Sequence, residues 1–404
     1  MKIISGGVCA AKGFTAGGIH CGIRKNRSKR DLALILSQVP AAAAAVYTTN
    51  LVKGAPLIVT KENISDGVAR AIICNSGNAN TCNADGIFIA EEMCRLTSDA
   101  LSIDPKDVIV ASTGVIGQPL STEPIANALP TLAAALSAEG SQSAAEAIMT
   151  TDTVSKEVAV EFEIGGKLCR IGGIAKGSGM IHTNMATMLV FITTDVKISS
   201  EMLSKALRND IANTFNMVSV DGDTSTNDMV AVLANGMADN EEIVCEGDGF
   251  STFMTALNTV TVCLCRMIAG DGEGATKLLE CKVSGAADKN TAKAAAKSVI
   301  CSSLLKAAMF GADANWGRVL CALGYSGASL DITKIDVSFM SKVGSILVCK
   351  NGAGVPFSEE EAKKILLEKE ITVLVELNSG CHEATAWGCD LTYDYVKING
   401  DYRT

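Results

Sequence analysis

Aromatic side chains are scarce in this 404-residue chain: tryptophan, tyrosine and phenylalanine together make up 4% of it. Apolar residues nevertheless reach 48%, so a large core has to be built from Ala, Val, Ile, Leu, Met and Cys. Only three histidines are present. His20, His182 and His382 stand at no zinc-ligand spacing to a cysteine, which argues against a metal site. No His–Cys or Ser–His pair is legible that would offer a catalytic nucleophile. The fifteen cysteines contain no Cys-x-x-Cys motif; the closest pair is Cys263-x-Cys265. Cys74, Cys263, Cys265 and Cys349 fall inside apolar runs. An odd count in a chain of this size reads as reduced, buried thiols in a cytoplasmic protein, not as a disulfide framework.

Other absences narrow the function further. No Gly-x-Gly-x-x-Gly follows a strand and opens a helix, so a dinucleotide cofactor is not indicated. No stretch offers ~18 uninterrupted apolar residues. The longest candidate, Met254 to Met267, is interrupted by Asn258, Thr259 and Thr261 and reads as a buried helix, so no membrane partner is expected. Residues 1–18 have one early lysine and scattered glycines, which is not a signal peptide. Basic residues cluster only between Arg24 and Arg30. With 35 Lys and Arg against 44 Asp and Glu, the net charge is −9. That balance repels phosphate backbones, so nucleic acid is excluded as a partner.

What is present is a mixture of strand and helix patterns, with seven prolines and no low-complexity linker. Glu157 to Ile164, Gly165-Gly166 and Lys167 to Ile174 predict a hairpin with a tight glycine turn. Helices are predicted at Glu91 to Ala100, at Thr131 to Ala138 with Pro130 in its first turn, at Ser200 to Phe215, at Phe250 to Met267 and at Thr291 to Met309. Strands are predicted at Ile332 to Met340, Ser345 to Lys350 and Ile371 to Asn378. Ser358 and Glu361 form a capping box ahead of Leu367. The absence of strict βαβ alternation points to α+β layers with helices outside the sheets, not to a doubly wound sheet.

One junction carries chemistry. Lys176-Gly177-Ser178-Gly179-Met180 is loop-like, and Asn184-Met185-Ala186-Thr187 leads into the apolar segment Met188 to Thr194, a predicted buried strand. A threonine behind a small residue at a loop-to-strand junction suits self-cleavage. Its hydroxyl attacks the Ala186 carbonyl, and hydrolysis frees an N-terminal threonine whose own α-amine serves as base. Spacing alone favours an ordinary strand start.

These residues, and several stretches around them, resemble the self-processing ornithine acetyltransferase (glutamate N-acetyltransferase) family of arginine biosynthesis. The likeness runs through Gly6-Gly7-Val8, Val46 to Asn50, Asn75 to Asn80, Ser112 to Gly117, Val220 to Asp228, Gly270 to Gly274, Asp313 to Arg318, Ala386 to Thr392 and Asn399 to Thr404. His182-Thr183 and Ala314 depart from the family pattern, the first pair within five residues of the junction. The resemblance implies a layered αββα-like sandwich of the N-terminal-nucleophile type. It implies an α chain of residues 1–186, a β chain of residues 187–404 and an α2β2 assembly. It implies Thr187 as nucleophile, cleavage between Ala186 and Thr187, and an oxyanion hole at Thr113 and Gly114. Thr153, Lys176, Thr187, Glu273, Asn399 and Thr404 are the implied substrate contacts. No cofactor and no metal are implied.

The expected reaction moves acetyl from N²-acetyl-L-ornithine to L-glutamate through an acetyl-threonine. Alternatives are an enzyme that also uses acetyl-CoA, an N-terminal-threonine aminopeptidase, and a binding protein that never cleaves. Asp221, Asp223 and Asp228 suggest a metal loop only superficially. No bidentate glutamate follows them, and a hydrogen-bonded loop is the expectation.

Overall fold

The computed structural model describes residues 1–182 and 188–400. Among these, the strands are β1 (Lys2–Ile4), β2 (Phe14–Ile19), β3 (Leu32–Tyr47), β4 (Val68–Asn78), β5 (Val108–Val115), β6 (Lys156–Ile164), β7 (Lys167–Lys176), β8 (Leu189–Thr194), β9 (Val218–Ser219), β10 (Met229–Ala234), β11 (Leu278–Ala286), β12 (Asp336–Ser341), β13 (Gly344–Lys350), β14 (Ala353–Gly354), β15 (Glu370–Glu376) and β16 (His382–Cys389). The α-helices are α1 (Ala55–Asn63), α2 (Gly86–Leu101), α3 (Glu123–Ala134), α4 (Ser141–Ile148), α5 (Ser200–Ile211), α6 (Asp248–Gly270), α7 (Lys289–Cys301), α8 (Ser303–Phe310), α9 (Trp316–Gly324), α10 (Glu359–Leu366) and α11 (Tyr393–Gly400).

The strands form two sheets, and the class is mixed α+β. The first sheet runs β1-β6-β7-β8-β10-β3-β4-β5, with β2 also on β3. The second runs β14-β13-β12-β15-β11-β16-β9. Strand β3 organises the first sheet. It pairs with β2 through Leu32–Ser37 and with β10 through Ala42–Tyr47. The alanine run Ala41–Ala45 is therefore strand, buried where small side chains let neighbours approach. Pro40 lies at the irregularity where pairing with β4 breaks between Leu36 and Ala41. A residue with no N–H is tolerated there because no ladder bond is required of it.

Three apolar clusters follow from this layering. One face of the first sheet packs Ala43, Ile72, Phe191 and Ala231 with α4. The other packs Leu34, Ile73 and Val110 with α1 and α2 at one end. At the other end Val190, Ile192, Val230 and Val232 pack with α5 and α6. In the second sheet Cys281, Phe339 and Val373 face helical residues Ala295 and Ile365. Each fully buried Val, Leu or Ile contributes roughly 1.5–3 kcal/mol relative to exposure, so a core poor in aromatics gains its stability from many medium-sized side chains. Helix α6 touches β6 and β7 of the first sheet and β11 and β16 of the second. It is long and apolar enough to cross a membrane, but Phe253, Leu257, Val260, Leu264 and Ile268 are fully buried in the protein. It is a core helix, as the interrupting Asn258, Thr259 and Thr261 suggest.

The predicted hairpin and the β13 and β15 strands are present, and Ser358 caps α10, its Oγ accepting from Glu361 N at 3.2 Å. The strand predicted from Ile332 starts only at Asp336, after a 3₁₀ turn at Ile332–Lys334, and three helices also differ from expectation. Helix α3 begins at Glu123 with Pro124 in its first turn, and Pro130 lies inside it. An interior proline typically costs ~3 kcal/mol, offset here by burial of Ile125, Leu129 and Leu132. The predicted helix ending at Phe215 stops at Ile211, with a short 3₁₀ turn at Phe215–Met217. The predicted helix Thr291 to Met309 is two helices. Ser302 adopts an extended conformation and its Oγ accepts from Leu305 N at 3.2 Å, capping α8. The signal was visible as Ser302-Ser303 before an apolar run. Ser302→Ala is expected to lower the unfolding free energy by about 1 kcal/mol, read from urea denaturation. An unchanged midpoint would mean the cap contributes nothing.

Candidate active site

Five of the sequence-expected residues, Thr113, Gly114, Lys176, Glu273 and Asn399, line one cavity of about 290 Å³. They come from four separate parts of the chain. Strand β5 continues through Thr113 and Gly114 to Val115. At this point the β4–β5 ladder is irregular, with Asn78 paired to both Thr113 and Val115. Gly114 has φ +135°, and a Cβ there would stand 2.3 Å from the Gly77 carbonyl carbon. Only glycine fits that conformation and that approach.

The sequence assigned no role to Asn227, yet it lines the same cavity. Its Nδ2 donates to the carbonyls of Ala79 at 2.6 Å and Ser112 at 2.9 Å. Its Oδ1 accepts from the hydroxyls of Thr81 at 2.5 Å and Thr226 at 2.7 Å. Asn227 thereby ties the end of β5, which carries Thr113, to the segment after β4. The only sequence signal was its place in the Val220 to Asp228 motif.

Lys176 ends β7 and pairs in register with Leu189 of β8. It is 9% exposed and makes no ion pair among the described residues. Beneath it lies a buried charge network. Lys156 Nζ is 2.7 Å from Asp152 Oδ1 and 2.5 Å from Asp271 Oδ2. The Asp152 carboxylate also accepts from Gly177 N at 2.7 Å and Thr150 N at 3.0 Å. Burial alone would raise the Asp152 pKa. The Lys156 and Lys176 cations and these hydrogen bonds outweigh it and hold the carboxyl below its ordinary value. Ser178 Oγ donates to the Asp271 carbonyl at 2.7 Å. The glycine-rich loop after Lys176 is therefore fixed from below by charge.

Glu273 is buried, and its Oε2 accepts from Asn399 Nδ2 at 2.7 Å. Its backbone N–H donates to the Ser178 carbonyl at 2.9 Å. A Cβ on Gly179 would stand 2.3 Å from the Glu273 carboxylate, so that glycine admits the acid to the cavity. The C-terminal helix α11 is held here by Asn399, by Thr392 Oγ1 donating to the Gly274 carbonyl, and by Tyr393 edge-on to Phe310.

Of the remaining expectations, Thr153 does not line this cavity. Thr153 is exposed, and both its N–H and its hydroxyl donate to the Asp271 carboxylate. It supports the charge network, while Thr150 and Thr151 line the cavity. Ala186, Thr187 and Thr404 lie outside the described residues. The Asp221 carboxylate accepts from Met180 N at 2.6 Å and Ile181 N at 2.8 Å, the hydrogen-bonded loop that was expected. Asp228 is buried, one of its oxygens has no hydrogen-bond partner among the described residues, and burial pushes its carboxyl well up. It precedes Met229, which pairs with Leu189. The expectation that no Cys–His pair exists is corrected: the fold brings Cys301 Sγ to 3.6 Å from His182 Nδ1, a contact across 119 residues that spacing could not reveal.

A strand-end hydroxyl, a buried lysine and a buried carboxylate around a cavity of this size can bind a small zwitterionic substrate and stabilise an oxyanion. On a two-sheet α+β fold carrying the motifs above, they mark an acyltransferase. The ArgJ family model matches residues 15–404, and the chain belongs to that family, the ornithine acetyltransferases of arginine biosynthesis. It is 50% identical over 405 residues, covering both chains in full, to the arginine biosynthesis bifunctional protein ArgJ of Caldanaerobacter subterraneus subsp. tengcongensis. It is 52% identical over 406 residues, again covering both in full, to the protein of the same name from Symbiobacterium thermophilum. Among solved structures, it resembles the crystal structure of ArgJ from Bacillus halodurans with a TM-score of 0.51 and 46% identity. The match covers 54% of this chain and 100% of that one.

The charge network sets a stability requirement. Lys156→Ala leaves two buried carboxylates facing each other and is expected to cost about 3–5 kcal/mol. Asp152 adds a pH dependence. Its folded pKa lies below the unfolded value of ~3.9, so its contribution is complete above that value and is lost as pH falls below it. Thermal unfolding of wild type and variant between pH 3 and 7 reads both effects. An equal melting temperature at pH 7 would remove the network from the list of stabilising features.

Proposed function

We propose that the chain cleaves itself between Ala186 and Thr187 and moves acetyl from N²-acetyl-L-ornithine to L-glutamate. The observation that carries this is the convergence of Thr113, Gly114, Lys176, Glu273 and Asn399 on one cavity. Lys176, in its wall, pairs with Leu189, two residues beyond Thr187. A further support is the solved ArgJ chain: 54% of the present chain covers all of it, the share that residues 187–404 make up.

In the first step the Thr187 hydroxyl adds to the Ala186 carbonyl, the C–N bond breaks, and water hydrolyses the resulting ester. The products are an α chain of residues 1–186 and a β chain of residues 187–404. The new α-amine, with an unperturbed pKa of ~7.7–8.0, takes the Thr187 hydroxyl proton as Oγ attacks the acetyl carbon. Thr113 Oγ1 and Gly114 N–H donate to the oxyanion. Collapse expels ornithine, whose departing amine takes the proton, and leaves acetyl on Oγ. Glutamate then attacks this ester through its amine, and Thr187 recovers its proton.

Lys176 meets the α-carboxylate that both substrates carry. Glu273 meets the side-chain ammonium of ornithine, with Asn399 holding the acid in place. Thr404 is a further substrate contact by the family resemblance, and Thr153 acts through Asp271. No cofactor takes part. The fifteen unpaired cysteines suit the cytoplasm, and two copies of each chain assemble as α2β2. A second reading, that acetyl-CoA also serves as donor, is favoured by the word bifunctional in the names of the relatives. An assay with acetyl-CoA as sole donor decides it.

Mass spectrometry of purified protein is expected to show two fragments, the second beginning at Thr187. Incubation with N²-acetyl-L-ornithine alone should add one acetyl group to that fragment and to no other. A single intact chain, or an unmodified second fragment on rapid quenching, overturns the reading.

Thr113→Ala is expected to lower kcat by about 10²–10³, the usual cost of one oxyanion donor. Unchanged turnover would leave Thr113 an ordinary strand residue.

A further inference from the structure

The imidazole of His182 does not face solvent alone. Nδ1 lies 3.1 Å from Ser219 Oγ and 3.6 Å from Cys301 Sγ. Burial, and then the nearby Lys297 cation, lower the His182 pKa, so at neutral pH the ring is in the form that accepts a proton. Cys301 is the last residue of α7 and Lys297 sits one turn before it, on the same helix face. Burial lowers the Lys297 pKa, and the Cys301 sulfur opposes that change.

Cys301 is half-buried and opens onto a separate cavity of about 320 Å³, lined also by Ser302, Ser303, Arg318 and Cys321. Arg318 belongs to the Asp313 to Arg318 motif, which the transfer reaction leaves unused. One of its guanidinium nitrogens donates to the Leu304 carbonyl at 2.5 Å; the group has further donors.

We propose that Cys301 is a modification site: with His182 as proton acceptor and Lys297 as counter-charge, it attacks small disulfides whose carboxylates are met by Arg318. His182 Nδ1 takes the Sγ proton, and the thiolate attacks one sulfur of the disulfide. A new S–S bond forms to Cys301 and the old one breaks. The departing thiolate takes the proton from the imidazolium and leaves as a thiol. Cys301 is oxidised to a mixed disulfide, and one half of the reagent is reduced. Most other cysteines are unsuited to this. Cys9, Cys21, Cys74, Cys94 and Cys281 are buried, or nearly so, and burial holds their thiols protonated. Cys82, Cys245 and Cys381 are exposed but have no imidazole contact among the described residues.

The test uses the full chain with Cys321→Ser, so that the adduct is not resolved within the cavity. One equivalent of oxidised glutathione is added, the mixture is acid-quenched at intervals, and the sites are mapped by mass spectrometry. Cys301 should be modified about tenfold or more faster than Cys82, Cys245 and Cys381, a modest effect for a positioned base. His182→Ala, or His182→Phe if the alanine variant fails to fold, should bring it down to their rate. Arg318→Gln should slow reaction with oxidised glutathione and leave reaction with the uncharged hydroxyethyl disulfide unchanged. Modification of Cys301 no faster than of the three exposed cysteines overturns the proposal. So does a fast reaction that survives loss of His182. Equal slowing with both disulfides by Arg318→Gln would remove the carboxylate contact and with it the proposed class of reagent.

Discussion

Two carboxylates and one ammonium, closed off from water, hold the floor of the cavity. Asp152 and Lys156 side chains are fully buried and Asp271 nearly so. Removing three charges from water is costly, and the arrangement is favourable only because every oxygen finds further donors. Those donors are the structural consequence. Gly177 N reaches Asp152, the Thr153 N–H and hydroxyl reach Asp271, and Ser178 takes the Asp271 carbonyl. The network thus joins the segment before β6, the loop after β7 and the end of α6 into one rigid unit. Lys176 and Glu273 both hang from it.

The rest of the cavity wall is fixed by neutral hydrogen bonds instead. Asn227 satisfies the carbonyl of Ser112 in β5 and that of Ala79, just after β4, with a single side chain. The β4–β5 irregularity turns Thr113 and Gly114 toward the space that Lys176 and Glu273 border from the other side. Charge below and amide above give a site in which the polar groups are placed before a substrate arrives. Electrostatic stabilisation of a transition state requires that preorganisation. Glycine contributes by exclusion: at Gly114 and Gly179 any side chain would occupy backbone or the Glu273 carboxylate.

The low aromatic content has a packing counterpart. Ala41–Ala45 and the alanine-rich faces of α4 and α7 let sheet and helix approach closely. Helix α6, which touches both sheets, fills the space between them with Phe253, Leu257, Val260, Leu264 and Ile268. The same helix ends at Gly270, next to Asp271, so the core that joins the two sheets also delivers one member of the buried charge network.

Much was legible in sequence because it is local. Hairpin β6–β7, the capped helix α10 and the strand after the junction follow from side-chain periodicity and turn chemistry within a few residues. Membership of the family, and five of the residues that line the cavity, were readable from motifs in order. The boundaries that failed did so where a local signal had a competitor: Ser302 inside a helical pattern and Pro130 inside a helix stabilised by burial. What spacing could not carry was every contact made across long chain separation. The resemblance implies Thr153 as a substrate contact, and only the fold shows its hydroxyl on Asp271, 118 residues away. Asn227, the Asp152–Lys156–Asp271 network and the His182–Cys301 pair are likewise products of tertiary structure. Buried polar groups must find partners wherever the chain brings them, and a linear pattern does not record where that is.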